Sequence, residues 1–338
     1  MWVPQVSILR PGLSDISNGR SRCGTMTNMR KFSIPAALLA LALSCSVASL
    51  ALPVPAQPAP NPATQAALST DPPADKTHPA SMESFQIPSH GQQLNAIAYL
   101  AAGAGPHPTA IMLHGFPGNE KNLDLAQAIR RAGWNAIYFD YRGSWGSPGN
   151  FTFANTREDS VAAIAYLRDP ANAARLHSDP KRIVLIGHSM GGLMAAYAGS
   201  HDPAILGTVM ISAADMGAMP DRLKGQDTFE KLHSLAEALE REDILPLAGC
   251  TGMSLARELI ADRSSFEFVA WGSLFGKRPL LLITSDDGLK PASDALAGMV
   301  RKQGNTAVTE VHFATDHSYS DHRIALETAV LNWLTTLP

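Results

Sequence analysis

From about Met82 onward, short unbroken apolar runs alternate with longer stretches whose apolar residues recur at helical spacing. Thr109–His114, Trp134–Tyr141, Arg182–His188, Ile205–Ser212, Pro279–Thr284 and Val308–Ala314 are rich in Val, Ile and Leu, and read as strands covered on both faces. Lys121–Ala132, Thr156–Leu167, Met190–Ser200, Ala292–Gln303 and Asp321–Leu334 read as helices. The alternation predicts an α/β domain with a mostly parallel, doubly wound sheet. Gln86–His90 and Leu94–Leu100, turning at His90-Gly91, predict an antiparallel hairpin that begins the sheet.

The alternation stops between Ala213 and Lys277, where Met, Leu, Glu, Lys and Arg take helical spacing, as in Phe229–Leu239. Ligands of such sheets bind beyond the carboxyl ends of the strands, so an insertion of about residues 214–277 after a strand is expected to form a helical cap over the pocket. A surface excursion without a role in substrate choice is the alternative.

The N-terminal part differs. Arg30-Lys31, the apolar stretch Phe32–Leu43 and small residues through Ala51 have the marks of a secretory signal over 29–51. Residues 1–28, upstream of Met29, are expected to be a disordered leader. Residues 52–81, with Pro53, Pro55, Pro58, Pro60 and Pro62, are expected to form an extended tether. The folded domain is then 82–338 and the product exported, periplasmic or secreted, without stable membrane insertion once the signal is removed. Lipid attachment at Cys45 is less expected, because Leu is one position out of place for a lipoprotein box. With Cys23 and Cys45 in removed segments, Cys250 is left alone and no intrachain disulfide is expected.

The chain has 338 residues, 45% hydrophobic, enough for a substantial core. A formal net charge of −3 without a long basic run argues against a nucleic-acid partner and names no ligand; oligomeric state is left open.

The most informative motif is Gly187-His188-Ser189-Met190-Gly191, between an apolar run and a helical pattern. A strand that reverses into a helix within a few residues strains its apex residue, and flanking glycines remove the side chains that would collide there. Ser189 is thereby presented as a nucleophile. A serine requires a base and an acid to orient that base. The strand Leu280–Thr284 runs into Ser285-Asp286-Asp287-Gly288, and Val311–Ala314 runs into Thr315-Asp316-His317-Ser318, so a carboxylate and an imidazole reach the sheet edge that carries the serine.

The order Ser, Asp, His resembles that of the α/β-hydrolase superfamily. Gly187–Gly192 is similar to its nucleophile elbow, Ser285–Pro291 to its acid turn and Asp316–Asp321 to its histidine loop, and the likeness runs from about Ser84 to Pro338. It implies an α/β-hydrolase fold with Ser189, Asp287 and His317 as catalytic triad. The family's carboxylate four positions before a proline selects Asp287, with Pro291 as marker, over Asp286. His312, within the strand, and His322, in the final helix, are the other histidines of this region. His114–Gly118 resembles the family's His-Gly-x segment, which implies oxyanion donors at the N–H of Phe116 and Met190; Pro117 has no N–H. His188 is expected to pack under the turn, Asp140 to hold backbone, and Trp145 to touch the pocket. No cofactor or metal is implied.

The resemblance implies a hydrolase for a small-molecule ester, working through an acyl-enzyme on Ser189. Gly115–Glu120, Tyr141–Gly146 and Asp316–Arg323 also resemble uncharacterised relatives of serine aminopeptidases, so amide hydrolysis is the alternative. No acidic pair of the cap stands out as a grip for a free amine. A catalytically inactive binding protein of the same fold is the remote alternative.

Overall fold

The computed structural model describes residues 59–222 and 228–338. The expected leader, export signal and first part of the linker lie outside the described residues. The rest of the linker is not extended throughout, because Pro62–Ser69 is a helix, α1. Asn61 caps it by accepting the Thr64 N–H at 2.9 Å, and Pro62 brings a φ already set for the first turn. Docking adds to this local preference: the Asn61 N–H donates to Asn332 at 3.0 Å, and Arg131 Nε donates to the Ala67 carbonyl at 2.6 Å.

The domain continues with β1 (Ser81–Ser89), β2 (Gln92–Leu100), β3 (His107–Leu113), α2 (Leu123–Arg131), β4 (Asn135–Phe139), α3 (Phe153–Arg168), α4 (Pro170–Arg175), β5 (Ser178–His188), α5 (Met190–His201) and β6 (Gly207–Ile211). The inserted segment holds α6 (Met219–Arg222), α7 (Thr228–Glu240) and α8 (Gly252–Ala261), with 3₁₀ turns at Met216–Ala218, Arg263–Phe266 and Phe268–Phe275. Then come β7 (Leu280–Thr284), α9 (Lys290–Lys302), β8 (Val308–His312) and α10 (Arg323–Leu334).

The strands form one eight-stranded sheet in the order β1-β2-β4-β3-β5-β6-β7-β8. β1 and β2 are the antiparallel hairpin, β2 pairs antiparallel with β4, and the rest is parallel. The inner parallel strands β4, β6 and β7 are buried throughout, which explains their unbroken apolar runs, whereas β8 was expected to be covered on both faces but lies at the sheet's edge and leaves Thr309 and Glu310 exposed. On β5, Ile183 and Leu185 join a core with Leu193, Met210 and Leu282, while Val184 and Ile186 face Val209, Ile211, Leu281 and Val330 on the other side.

Backbone pairing joins the inserted segment to the loop between β4 and α3. Trp145 N–H donates to Pro246 at 2.9 Å, Phe151 N–H to Ala248 at 2.9 Å, and Ala248 N–H to Gly143 at 2.7 Å. From α8, Glu258 accepts the N–H groups of Phe153 and Ala154 at 3.0 and 2.7 Å, filling donors that the first turn of α3 cannot satisfy itself.

Leu185 is fully buried in the central strand, so Leu185→Ala is expected to lower unfolding free energy by about 2–5 kcal/mol in urea titration. A loss below about 1 kcal/mol would contradict this placement.

Candidate active site

The site begins with backbone strain. Ser189, between β5 and α5, has φ 57° and ψ −121°, a region that residues other than glycine rarely adopt. Its N–H donates to Ile211 at the end of β6, and its carbonyl accepts from Gly192 and Ala214, all within 3.0 Å. A side chain on Gly187 would overlap the Gly191 carbonyl, and one on Gly191 would overlap the Leu113 carbonyl. The glycines therefore let the turn close against β3.

Ser189 borders a cleft of about 150 Å³ lined also by Gly115, Phe116, Gly118, His188 and His317. His317 lies in the loop after β8. Its Nδ1 is 2.8 Å from Asp287 Oδ2, in the turn after β7. Asp287 Oδ1 also accepts the Leu289 N–H at 2.9 Å, and its side chain is only 6% exposed. Burial would raise its pKa, but hydrogen bonds from His317, Leu289, Ser212 and Ser285 outweigh this and hold the carboxyl well below the usual range. Ser212 Oγ is 2.9 Å from both Ser285 Oγ and Tyr319 Oη, so a buried hydroxyl cluster backs the carboxylate.

Three histidines of this region each face a carboxylate, and only His317 borders the cleft with Ser189. His312 ends β8 and faces the exposed Asp286 at 3.2 Å; His322 precedes α10 and faces Asp321 at 2.7 Å. The other ring nitrogen of His317, Nε2, is not engaged by Asp287.

The expected oxyanion segment, Gly115–Gly118, lines the same cleft. The Phe116 ring packs on Phe151 and Phe153, with centroids 5.8 and 5.5 Å away. Met190 opens α5, so its N–H belongs to the first turn, whose donors have no intrahelical partner. The helix N-terminus favours negative charge at that point.

Two expectations need correction. The Asp140 carboxylate does not hold backbone: it accepts from Tyr138 Oη at 2.5 Å and Lys121 Nζ at 3.1 Å. Trp145 reaches the loop after β3 and does not itself line the cleft, donating from Nε1 to the Pro117 carbonyl at 2.9 Å. Glu120 and, from the inserted segment, Glu242 border the cleft, although no sequence pattern marked them as a pair. Ser212 likewise carried no signal, whereas Ser285 and Tyr319 lie inside the acid and histidine motifs.

The profile of the alpha/beta hydrolase family matches residues 110–326. The chain belongs to that family. Among curated relatives, the uncharacterized protein Rv2307c of Mycobacterium tuberculosis is 28% identical over 152 residues, 44% of this chain and 52% of that protein. The uncharacterized protein YfhR of Salmonella typhimurium is 32% identical over 120 residues, 35% of each. The chain thus spans about half or less of the length of these relatives. Among solved structures, the esterase Pf2001 of Pyrococcus furiosus aligns with TM-score 0.55 and 20% identity, over 79% of this chain and 97% of that one. Est1E of Butyrivibrio proteoclasticus aligns with TM-score 0.57 and 18% identity, over 75% and 98%. At such identities the likeness concerns the fold.

Burial pushes His114 down to about 3 and His188 to about 4, so both fold as neutral rings. The unfolded chain protonates them near pH 6.5, so it binds more protons than the folded chain below that value. Stability is expected to fall as pH drops from about 6.5 toward 4, by about 2 kcal/mol per histidine between pH 7 and 5. Urea unfolding at the two pH values measures this; equal free energies would contradict the buried neutral state.

Proposed function

We propose that the protein is an exported serine hydrolase that cleaves carboxylic esters of small molecules through an acyl-enzyme on Ser189. The observation that carries the reading is the Asp287–His317 pair at 2.8 Å, opening onto the same cleft as a serine in strained elbow geometry. Ser189 Oγ attacks the carbonyl carbon and its proton passes to His317, while Asp287 stabilises the imidazolium. Collapse of the tetrahedral intermediate breaks the bond to the alcohol oxygen, which leaves with the proton from His317. Water, deprotonated by the same imidazole, then releases the acid and restores the serine. The oxyanion is held by the N–H groups of Phe116 and Met190, each able to supply about 3–4 kcal/mol.

A cleft of about 150 Å³ suits a short acyl group. Esters come first because their leaving group asks little of the walls. One observation favours the second reading, an aminopeptidase-like amide hydrolase: two acidic residues, Glu120 and Glu242, border the cleft, and acidic residues there suit a free amine, although the Glu120 carboxylate also accepts the Asn122 N–H at 2.6 Å. Export rests on residues 29–51 and is tested by fractionating cells that express the whole chain.

Ser189→Ala is expected to fold and to lose all labelling by a fluorophosphonate probe; labelling equal to the parent would refute the nucleophile and favour an inactive binding protein. Short p-nitrophenyl esters are expected to turn over faster than aminoacyl anilides, and the reverse order would establish the amide reading. Asp287→Asn is expected to lower kcat by on the order of 10³–10⁴, because it leaves the imidazole in the wrong tautomer. Asp286→Asn, at the exposed partner of His312, is expected to stay within about threefold; reversed effects would transfer the acid role to Asp286.

A further inference from the structure

His188 has no part in the proton transfers above, yet it is placed where both reacting groups meet. It is the last residue of β5, 4% exposed, and peptide-bonded to Ser189. Its Nε2 lies 2.8 Å from the carbonyl oxygen of His317, and the two ring centroids are 4.7 Å apart. A carbonyl only accepts, so Nε2 carries the proton and Nδ1 is bare. That Nδ1 is buried and has no hydrogen-bond partner among the described residues.

A buried acceptor left unpaired is destabilising. An apolar ring would fill the same space without that cost, so packing alone does not account for an imidazole here. What the imidazole adds is one donor, aimed at the backbone of His317. In the sheet, β6 and β7 lie between the strand that ends at His188 and β8, which leads to His317. The hydrogen bond therefore spans the carboxyl edge of the sheet and ties the elbow directly to the histidine loop.

The other restraints on this loop act elsewhere. Asp316 accepts the N–H groups of Ser318 and Ser320 at 3.1 and 2.9 Å, and Arg323 donates to the Ser318 carbonyl at 3.0 Å. Asp287 holds the His317 ring at Nδ1. On either side, the Asp286 N–H donates to the Thr315 carbonyl at 3.1 Å, the Tyr319 N–H donates to the Asp316 carbonyl at 3.1 Å and Tyr319 Oη meets Ser212; among the described residues the bond at the His317 carbonyl itself is the one from His188.

We propose that His188 is a positioning residue: by donating from Nε2 to the His317 carbonyl, it sets the distance between the base and the nucleophile that follows it in the chain. The inference rests on the reading of Ser189, His317 and Asp287 given above. A donor that stayed charged would oppose the imidazolium forming 4.7 Å away, and burial of His188 removes that conflict by keeping its ring neutral.

The test compares two amides on the full-length enzyme with a p-nitrophenyl ester. A Gln side chain can bring its nitrogen to the place of Nε2, whereas Asn stops near the place of Nδ1. His188→Asn is expected to lower kcat by about thirty- to hundredfold, the scale of an ångström of misplacement, with KM within about threefold. His188→Gln is expected to recover at least about fivefold of that loss. In an Asp287→Asn background the loss from His188→Asn is expected to shrink below about threefold, since both positions act through one imidazole. If His188→Asn does not fold, His188→Phe takes its place, retaining a ring without the donor.

The inference is overturned if His188→Asn, or His188→Phe in its place, keeps kcat within threefold of the parent. It is equally overturned if Gln and Asn are impaired alike, or if the loss is undiminished in the Asp287→Asn background; these results would leave His188 as packing. Failure of the underlying reading looks different, because Ser189→Ala would then still react with the fluorophosphonate whatever stands at 188.

Discussion

The backbone at Ser189 is the constraint on which the site depends. A residue with a side chain is held at φ 57° where β5 becomes α5, and this persists because its own N–H and C=O are tied to Ile211, Gly192 and Ala214. The strain is tolerable only because the sheet around it is well packed and because Gly187 and Gly191 let two backbones approach closely. Ser189 is thereby lifted off the carboxyl edge of β5, toward the edge at which β7 and β8 deliver Asp287 and His317. The parallel part of one sheet thus gathers three groups that lie up to 128 positions apart in the chain, as Ser189 and His317 do.

Charge is arranged on the same plan. Asp287 is buried and kept ionised by several donors, so it faces His317 as a fixed negative charge. His114 and His188 are buried without a carboxylate in hydrogen-bond contact and stay neutral. Of the described histidines, His317 combines a buried carboxylate with an open face on the cleft, which are the conditions a general base requires. The inserted segment is no loose appendage, since its 246–248 stretch pairs with the loop that carries Trp145, and Trp145 in turn holds Pro117 beside Phe116.

Much of this was legible in the chain. Strands buried on both faces leave unbroken Val, Ile and Leu runs, so the inner parallel strands and their order of appearance could be read, as could the hairpin at His90-Gly91; β8 was read as a strand too, but its half-exposed place at the edge was not. The elbow, the acid turn and the histidine loop were legible because each needs particular residue types at fixed spacing. Helix α1 was not, because a Pro- and Ala-rich segment looks extended until Asn61, Asn332 and Arg131 are seen to fasten it. Helix α4 carried only a local cue, Asp169 capping before Pro170. The contacts of His188, Ser212, Glu120 and Glu242 depend on tertiary approach between distant segments, which periodicity does not encode.

The most direct test is a crystal structure of the enzyme after reaction with a small fluorophosphonate. The account predicts phosphorus bonded to Ser189 Oγ, a phosphoryl oxygen within hydrogen-bond distance of the Phe116 and Met190 N–H groups, and His317 between the adduct and Asp287. An adduct on another residue, or a phosphoryl oxygen directed away from both N–H groups, would contradict it.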